Sequence, residues 1–172
     1  MGNEAKAQER KAAVREAVRF FSERAAKHDL ENSFPVENMN DLKRMGYHAF
    51  TVPERFGGQG ITLTELLRLQ EIIALEDGAT ALSIGWHMGL IKQLDETNAW
   101  ADERFAELCE QVVESGALIN AAATEAGTGS PTRGGKPETT AEKQGNKWVV
   151  SGRKTFTTMA PVLDFFYRIC ID

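Results

Sequence analysis

The sequence has few cysteines and no long apolar run, and each absence excludes a class of protein. The two cysteines among 172 residues, Cys109 and Cys170, cannot form a disulfide framework, and so low a count is typical of a reducing compartment. No apolar stretch approaches the roughly 20 residues that span a bilayer. The opening residues also lack the apolar core of a signal peptide. We therefore expect a cytoplasmic protein with no membrane partner.

Excess basic charge and clustered metal ligands are missing as well. The net charge is −5, which argues against a nucleic-acid partner. His28, His48 and His87 are isolated, and neither cysteine has a second ligand at metal-binding spacing, so we expect no metal site. His87 is interpreted as a core histidine with a satisfied hydrogen bond, and a pocket wall beside a ligand is the alternative. A content of 42% hydrophobic and 26% charged residues excludes disorder over the whole length.

Helical periodicity dominates the first 116 residues and predicts five helices. The opening helix has one apolar face and is expected to continue to about residues 28–29. That face consists of Val14, Val18, Phe21 and Ala25. A short helix is predicted over 36–45, and a capping box at Thr62 to Glu65 begins a third helix, which we expect to be buried on most sides. Two further helices are predicted over 79–94 and up to Gly116.

Beyond Gly116 the pattern changes from helices to short strands. We therefore predict a domain boundary there, with an all-helical domain over 1–116 and a β-rich domain over 117–172. The predicted strands cover 117–124, 139–143, 148–151, 154–158 and 165–171. A Gly145-Asn146 turn joins the second and third of them into a hairpin. Roughly 55 residues of β structure with open edges make a poor independent domain, so we expect the sequence to be part of a longer protein.

Three segments carry residues that suit a ligand, although each also has an ordinary structural interpretation. The loop 52–60 (VPERFGGQG) lacks the Lys-Ser/Thr pair and the preceding strand of a phosphate loop, so by itself it indicates a connection. Segment 124–130 (TEAGTGS) offers free amides and hydroxyls around glycines, and a plain surface turn is an equal alternative. Segment 152–158 (GRKTFTT) has an aromatic residue beside hydroxyls, and an ordinary strand is the alternative.

Together, and in this order, the three segments resemble the signatures of the acyl-CoA dehydrogenase family of flavoproteins. Segment 52–60 is similar to the family's Pro-Glu-x-x-Gly-Gly-x-Gly loop, and segment 124–130 to its Thr-Glu-Pro-x-x-Gly-Ser signature. Segment 152–158 is similar to its Asn-Gly-x-Lys-x-Trp/Phe-Ile-Thr strand. The sequence departs from the family at Ala126, where proline is usual, and at Pro131, where aspartate is usual.

The resemblance implies an α+β multidomain fold. An N-terminal all-α domain is followed by the start of an antiparallel β-barrel domain, and the family's C-terminal four-helix domain is absent from this chain. The resemblance also implies a flavin site. The cofactor-binding residues carried over by position are Ala121, Ala123, Thr124, Ser130, Phe156 and Thr158.

Each of these residues takes a role from the matching family position. Ala121, Ala123 and Thr124 belong to the strand that lies along the flavin ring and hydrogen-bonds to it. Ser130 lies at the mouth of the pocket and is also expected to bind the acyl-CoA substrate. Phe156 packs against the ring, and the hydroxyl of Thr158 reaches the flavin N5 region.

The implied activity is FAD-dependent α,β-dehydrogenation of an acyl-CoA thioester in fatty acid metabolism. Electrons would pass to an electron-transfer flavoprotein, and the full-length protein would be a homotetramer or dimer. The family's glutamate base is expected beyond Asp172, so no catalytic residue is assigned, and Glu125 is interpreted as structural. Arg133 and Lys136 are candidates to contact coenzyme A phosphates, with a solvated loop as an equal alternative.

Two other functions remain open at this point. One is a flavin-dependent monooxygenase on the same fold, which uses reduced flavin and oxygen and lacks the glutamate base. The other is a non-catalytic truncated fragment that binds no flavin.

Overall fold

The computed structural model describes residues 2–168 of the chain. Cys170 lies outside this range, and so does the end of the strand predicted over 165–171. The chain divides into two compact units, Met1–Leu118 and Ile119–Asp172, which we call the helical unit and the β unit. A helical first part followed by a β region confirms the fold class expected from the sequence.

Six α-helices build the helical unit. They are α1 (Gly2–Val18), α2 (Phe21–Glu31), α3 (Val36–Arg44), α4 (Leu63–Glu76), α5 (Gly78–Thr97) and α6 (Asp102–Ser115). The prediction of one long opening helix is wrong, because Phe20 has backbone angles of φ −106° and ψ 3° and separates α1 from α2. Apolar spacing does not reveal this break, since Val18 and Phe21 are both buried and three residues apart.

Helix α4 begins where the sequence predicts but is buried on one face only. The backbone N–H of Glu65 donates to Thr62 Oγ1 at 3.2 Å, which confirms the threonine cap. Leu63, Leu67 and Leu75 are exposed, so the expectation of a helix buried on most sides is wrong for this chain. Apolar residues around a helix indicate that they are covered by other protein or by a ligand, but they do not identify that partner. Within residues 2–168, no helix has the length and apolarity required to cross a membrane.

Buried polar side chains join the helices of this unit. Asn38 Nδ2 donates to Asp77 Oδ2 at 3.1 Å and to Thr80 Oγ1 at 3.0 Å, which links α3 to the start of α5. His87 is fully buried, and its Nε2 lies 2.9 Å from the His48 carbonyl oxygen. The interpretation of His87 as a core histidine with a satisfied hydrogen bond is therefore confirmed.

The glycine-rich loop between α3 and α4 folds closely upon itself. Gly60 N–H donates to the carbonyl oxygen of Val52 at 2.9 Å. A Cβ atom on Gly58 would lie 2.5 Å from Val52 Cβ and closer still to the Val52 carbonyl oxygen. Phe56 meets Phe105 of α6 edge to face, with 5.6 Å between ring centroids. Only glycine fits at position 58, because the atoms it faces belong largely to backbone.

The β unit contains two strand pairs among the described residues. Strand β1 (Ile119–Ala122) pairs in parallel with β4 (Phe165–Arg168), and β2 (Thr140–Gln144) pairs antiparallel with β3 (Lys147–Ser151). The β2–β3 pair is the predicted hairpin. The parallel pair adds to the antiparallel arrangement implied by the resemblance, because the chain crosses over between β1 and β4 instead of returning through a tight turn.

The strand predicted over 154–158 does not form. The segment is extended but turns at Phe156, whose φ of +56° lies in the left-handed region. Its threonines and phenylalanine are typical of strands, yet within residues 2–168 its backbone forms no ladder and makes a single hydrogen bond to the segment after β1, from Thr155 N–H to the Thr124 carbonyl oxygen at 2.8 Å. The prediction of extended chain is correct, and the prediction of a regular strand is wrong.

Gly58→Ala should lower the free energy of unfolding of the helical unit by about 1–3 kcal/mol, because the Val52 backbone has no easy way to move aside. Gly89→Ala is the matched control, since Gly89 is exposed within α5 and a Cβ there would meet nothing within 4 Å. That control should instead gain about 0.5–1 kcal/mol from higher helix propensity. Urea unfolding followed by far-ultraviolet circular dichroism measures both changes. A Gly58→Ala variant as stable as wild type would contradict the close packing.

Candidate functional site

The segment Thr124 to Ser130 forms a tight loop at the end of β1. Glu125 N–H donates to the Gly129 carbonyl oxygen at 3.1 Å, and Gly129 N–H donates back to the Glu125 carbonyl oxygen at 2.9 Å. Gly129 has a φ of +76°, a conformation that glycine adopts without steric cost. The two reciprocal hydrogen bonds close the loop at its base, so the turn is held independently of the residues at its tip.

The side chain of Glu125 is the hub of this loop and is almost completely buried. Its Oε1 accepts hydrogen bonds from Lys154 Nζ at 2.6 Å, from Thr139 Oγ1 at 2.6 Å and from Thr139 N–H at 3.1 Å. Its Oε2 accepts from Glu138 N–H at 2.6 Å and from Thr128 Oγ1 at 3.4 Å. One carboxylate thereby ties the loop to the segment before β2 and to the segment after β3.

These donors also set the protonation of Glu125. The Lys154 ammonium, the Thr139 hydroxyl and the Glu138 amide lower the pKa of Glu125 to about 2, against the mild opposing effect of burial. So acidic a carboxyl group is a poor proton acceptor near neutral pH. The geometry therefore gives Glu125 a structural role.

Two hydrogen bonds bring the two signature segments side by side. Thr155 N–H donates to the Thr124 carbonyl oxygen at 2.8 Å, and Asn120 Nδ2 donates to the Thr158 carbonyl oxygen at 3.0 Å. Asn120 also accepts from Ala121 N–H at 2.7 Å through its own Oδ1. The segments 121–124 and 155–158 consequently form one continuous surface of the β unit.

Sequence reasoning overlooked Asn120 and Thr139, which hold this surface together. Asn120 is a buried amide within the apolar run 117–124, and such a residue normally has a specific hydrogen-bonding partner. A polar residue at this position of an apolar run therefore indicates a structural hydrogen bond, and the sequence contained that signal. Thr139 offered none, because a threonine before a strand is ordinary.

The predicted site residues differ in how the structure places them. Ala121 lies in β1, and Ala123 and Thr124 continue beyond it, all three half-buried. Ser130 is half-buried beyond the loop, and its hydroxyl lies 2.8 Å from Thr132 Oγ1. In the described part of the chain, Ser130 makes no hydrogen bond to the other predicted residues. Of the predicted positions, only Ser130 lies outside the two segments, 121–124 and 155–158, that the hydrogen bonds of Thr155 and Asn120 bring together.

Phe156 and two threonines give this surface the character of a binding site. The Phe156 side chain is 90% exposed, although it is apolar and its backbone is in a conformation that non-glycine residues rarely adopt. Thr124 and Thr158 are half-buried, and within residues 2–168 neither hydroxyl has a protein partner. An exposed aromatic side chain on a segment that carries Thr158 and is hydrogen-bonded to Thr124 suits a planar aromatic ligand with polar edges.

Metal and thiol chemistry find no support in the described residues. Across residues 2–168, no group of three histidine, cysteine or carboxylate side chains is arranged to hold a metal ion. Cys109 is buried in α6, and desolvation raises the pKa of its thiol to about 12. The thiol is therefore protonated and unreactive at neutral pH.

Two protein-family models match the chain. The one described as acyl-CoA dehydrogenase, N-terminal domain, matches residues 4–98, and the one described as acyl-CoA dehydrogenase, middle domain, matches residues 120–172. The first match lies within the helical unit and the second within the β unit.

Individual relatives point to more than one chemistry. YdbM of Bacillus subtilis (strain 168), whose name as an acyl-CoA dehydrogenase is provisional, is 50% identical over 146 residues, covering 85% of this chain and 38% of YdbM. L-evernosamine nitrososynthase of a Micromonospora species is 32% identical over 154 residues, covering 86% of this chain and 34% of that protein. The solved structure of KijD3 with FMN and a dTDP-linked sugar matches with a TM-score of 0.80 and 26% identity, covering 98% of this chain and 40% of KijD3. The chain thus spans less than half the length of each.

The stability of the β unit should depend on pH through Glu125. Because its pKa in the folded chain is lower than its ordinary value of 4.5, the carboxylate stabilises the fold above 4.5. That contribution should be lost as the pH falls from 4.5 through about 2. Glu125→Gln should be less stable at neutral pH and should lack this part of the pH dependence.

Amide hydrogen exchange at Gly129 and Thr155, measured from neutral pH down to about pH 2, reports the local stability. Glu142→Gln, on an exposed position of β2, is the matched control and should keep the wild-type pH profile. Identical profiles for wild type and Glu125→Gln would contradict the proposed structural role of the carboxylate.

Proposed function

The chain belongs to the acyl-CoA dehydrogenase family, and we propose that it supplies the flavin-facing part of an oxidoreductase that dehydrogenates an acyl-CoA thioester between its α and β carbons. The observation that carries the proposal is the exposed Phe156 ring on a segment that also carries Thr158 and is hydrogen-bonded to Thr124. Family membership supports the flavin, and the 50% identity to YdbM supports the dehydrogenase chemistry.

In this proposal, each residue of the surface has a physical task. Phe156 offers an apolar face on which the isoalloxazine ring rests and from which water is excluded. Ala121, Ala123 and Thr124 line one edge of the ring with backbone groups, and the Thr158 hydroxyl is directed to the region of N5. When bound, the flavin supplies the acceptor for a hydride from the substrate. Donors that are already in place near developing negative charge lower the barrier, because they need no reorganisation.

The proposed cofactor is FAD. The resemblance to the family supports FAD, whereas the FMN in the KijD3 structure belongs to that protein. Both nucleotides share the isoalloxazine ring, which is the part that the described surface would contact. Titration with each of them separates the two possibilities.

The remaining parts of the proposal extend beyond this chain. Ser130 is proposed to contact the acyl-CoA, and the glutamate base is proposed to lie outside residues 1–172. An electron-transfer flavoprotein is proposed as the electron acceptor and a homotetramer or dimer as the assembly, both on the strength of the family resemblance. A place in fatty acid metabolism and a cytoplasmic location stay predictions from the sequence.

A flavin-dependent monooxygenase or related oxygen-using enzyme is the second candidate. It is favoured by the 32% identity to a nitrososynthase. The two candidates share the flavin surface and differ in the source of electrons. A dehydrogenase takes electrons from its thioester substrate, whereas a monooxygenase needs flavin that has been reduced beforehand and then reacts with oxygen.

Phe156→Ala in the full-length protein should weaken flavin binding about tenfold, because loss of an aromatic stacking partner costs on the order of 1 kcal/mol beyond lost contact area. Trp148→Ala is the matched control, since Trp148 is an exposed aromatic residue on β3, outside the signature segments. Flavin absorbance and fluorescence quenching on titration measure the dissociation constant. Equal affinity in the Phe156→Ala variant and wild type would contradict the assignment of Phe156.

Anaerobic addition of an acyl-CoA to the flavin-loaded full-length protein should bleach the visible flavin band. The reason is that hydride transfer from the thioester reduces the ring without any other reductant. A flavin that stays oxidised with saturated acyl-CoA thioesters of several chain lengths, but turns over oxygen after chemical reduction, would favour the monooxygenase instead.

A further inference from the structure

Lys154 occupies an unusual position for a lysine. Its side chain is only 9% exposed, and it lies two residues before Phe156 in the chain. The ammonium group is 2.6 Å from Glu125 Oε1 and 3.5 Å from the carbonyl oxygen of Ala123. Lysine is rarely buried unless it is paired, so the Glu125 carboxylate makes this position tolerable.

The Ala123 carbonyl belongs to the same peptide group as the Thr124 N–H. Thr124 uses its own carbonyl to accept from Thr155 N–H, as described above. Within residues 2–168, however, neither the N–H nor the hydroxyl of Thr124 has a protein partner. One side of this peptide therefore faces a buried positive charge, and the other side presents two unused donors.

We propose that Lys154 is a positioning residue for the flavin: its ammonium group holds and polarises the Ala123–Thr124 peptide, so that the free N–H and hydroxyl of Thr124 are presented to an electron-rich edge of the bound ring. This inference rests on the proposed flavin function, but the polarisation of the Ala123–Thr124 peptide by Lys154 is a property of the protein alone. Lys154 itself does not contact the ligand. It acts through the peptide group that it contacts.

The physical basis is cooperativity between hydrogen bonds. A charge near a carbonyl oxygen draws electron density toward that oxygen and leaves the N–H of the same peptide more acidic, strengthening its donor capacity by on the order of 10–30%. The Glu125 charge offsets the field of Lys154 at longer range, so the effect should be local to the contacted peptide. A stronger donor stabilises negative charge that gathers on a reduced ring.

The Glu125 contacts also explain why the ammonium stays in place. Thr139 donates to the same Oε1 atom that pairs with Lys154, and Glu138 N–H holds the other oxygen. These donors fix the position of the Glu125 carboxylate independently of Lys154. A flexible lysine is held in one geometry because its partner has no freedom to move.

The proposal can be tested in the ligand-free 172-residue chain. Lys154→Met keeps the length of the side chain and removes the charge, and the Thr124 amide proton should then move upfield in a ¹H–¹⁵N correlation spectrum. Lys154→Arg keeps the charge and should largely preserve the wild-type shift. If the methionine variant does not fold, Lys154→Gln, which keeps a donor for Glu125, takes its place.

Thr139→Val separates polarisation from simple loosening of the loop. It removes one donor to Glu125 and leaves the Lys154 charge present, so the Thr124 shift should stay near its wild-type value. An unchanged Thr124 proton in Lys154→Met would overturn the proposal. A shift in Thr139→Val as large as in Lys154→Met would overturn it too, because the effect would then be structural.

Flavin titration of the full-length variants completes the test. Lys154→Met should bind FAD or FMN about two- to threefold more weakly than wild type, and its bound flavin should have a lower reduction potential. Lys154→Arg should restore both values. Equal affinity and potential in Lys154→Met and wild type would overturn the positioning role. Failure of the wild-type protein to bind flavin would instead overturn the proposed function, while the Thr124 shift still decides whether Lys154 polarises the peptide.

Discussion

The buried ion pair between Glu125 and Lys154 is the interaction on which the β unit depends. Burying two charges is costly unless their remaining hydrogen-bonding capacity is satisfied. Here the carboxylate accepts from four different residues, and the ammonium group also approaches the Ala123 carbonyl oxygen. Removing either partner would take from the other its 2.6 Å charge contact, and the carboxylate of this pair also joins three separate segments of the chain.

This ion pair gives a physical meaning to two sequence signatures that look unrelated. The glutamate of TEAGTGS and the lysine of GRKTFTT are 29 residues apart and meet at 2.6 Å. The signatures therefore describe the two halves of one contact. Around that contact, the loop glycines and the turn at Phe156 lie on the surface, where their backbone and side chains remain available. The buried Glu125–Lys154 pair thus supports exposed residues around it that are available to bind a ligand.

The helical unit illustrates a different constraint. Its core is closed by apolar packing and by the Asn38–Asp77–Thr80 hydrogen bonds, yet several large side chains of α4 and α5 remain exposed. They are Leu63, Leu67, Leu75, Leu82 and Trp86. Since the chain spans 38% of YdbM and 40% of KijD3, these exposed faces belong to a portion of a fold that is longer in its relatives.

The sequence by itself determined the helical first part and the β region that follows it, the cap at Thr62, the β2–β3 hairpin and the family. Each of these depends on local spacing or on short motifs, which act within a few residues of one another. The break at Phe20, the turn at Phe156 and the parallel β1–β4 pair were decided only by the tertiary structure. So were the roles of Asn120 and Thr139 and the meeting of Glu125 with Lys154. The break and the turn are changes of backbone conformation at single residues, which residue type and spacing do not reveal. The other features join residues distant in the chain, and periodicity carries no information about which distant groups will satisfy a buried charge or amide.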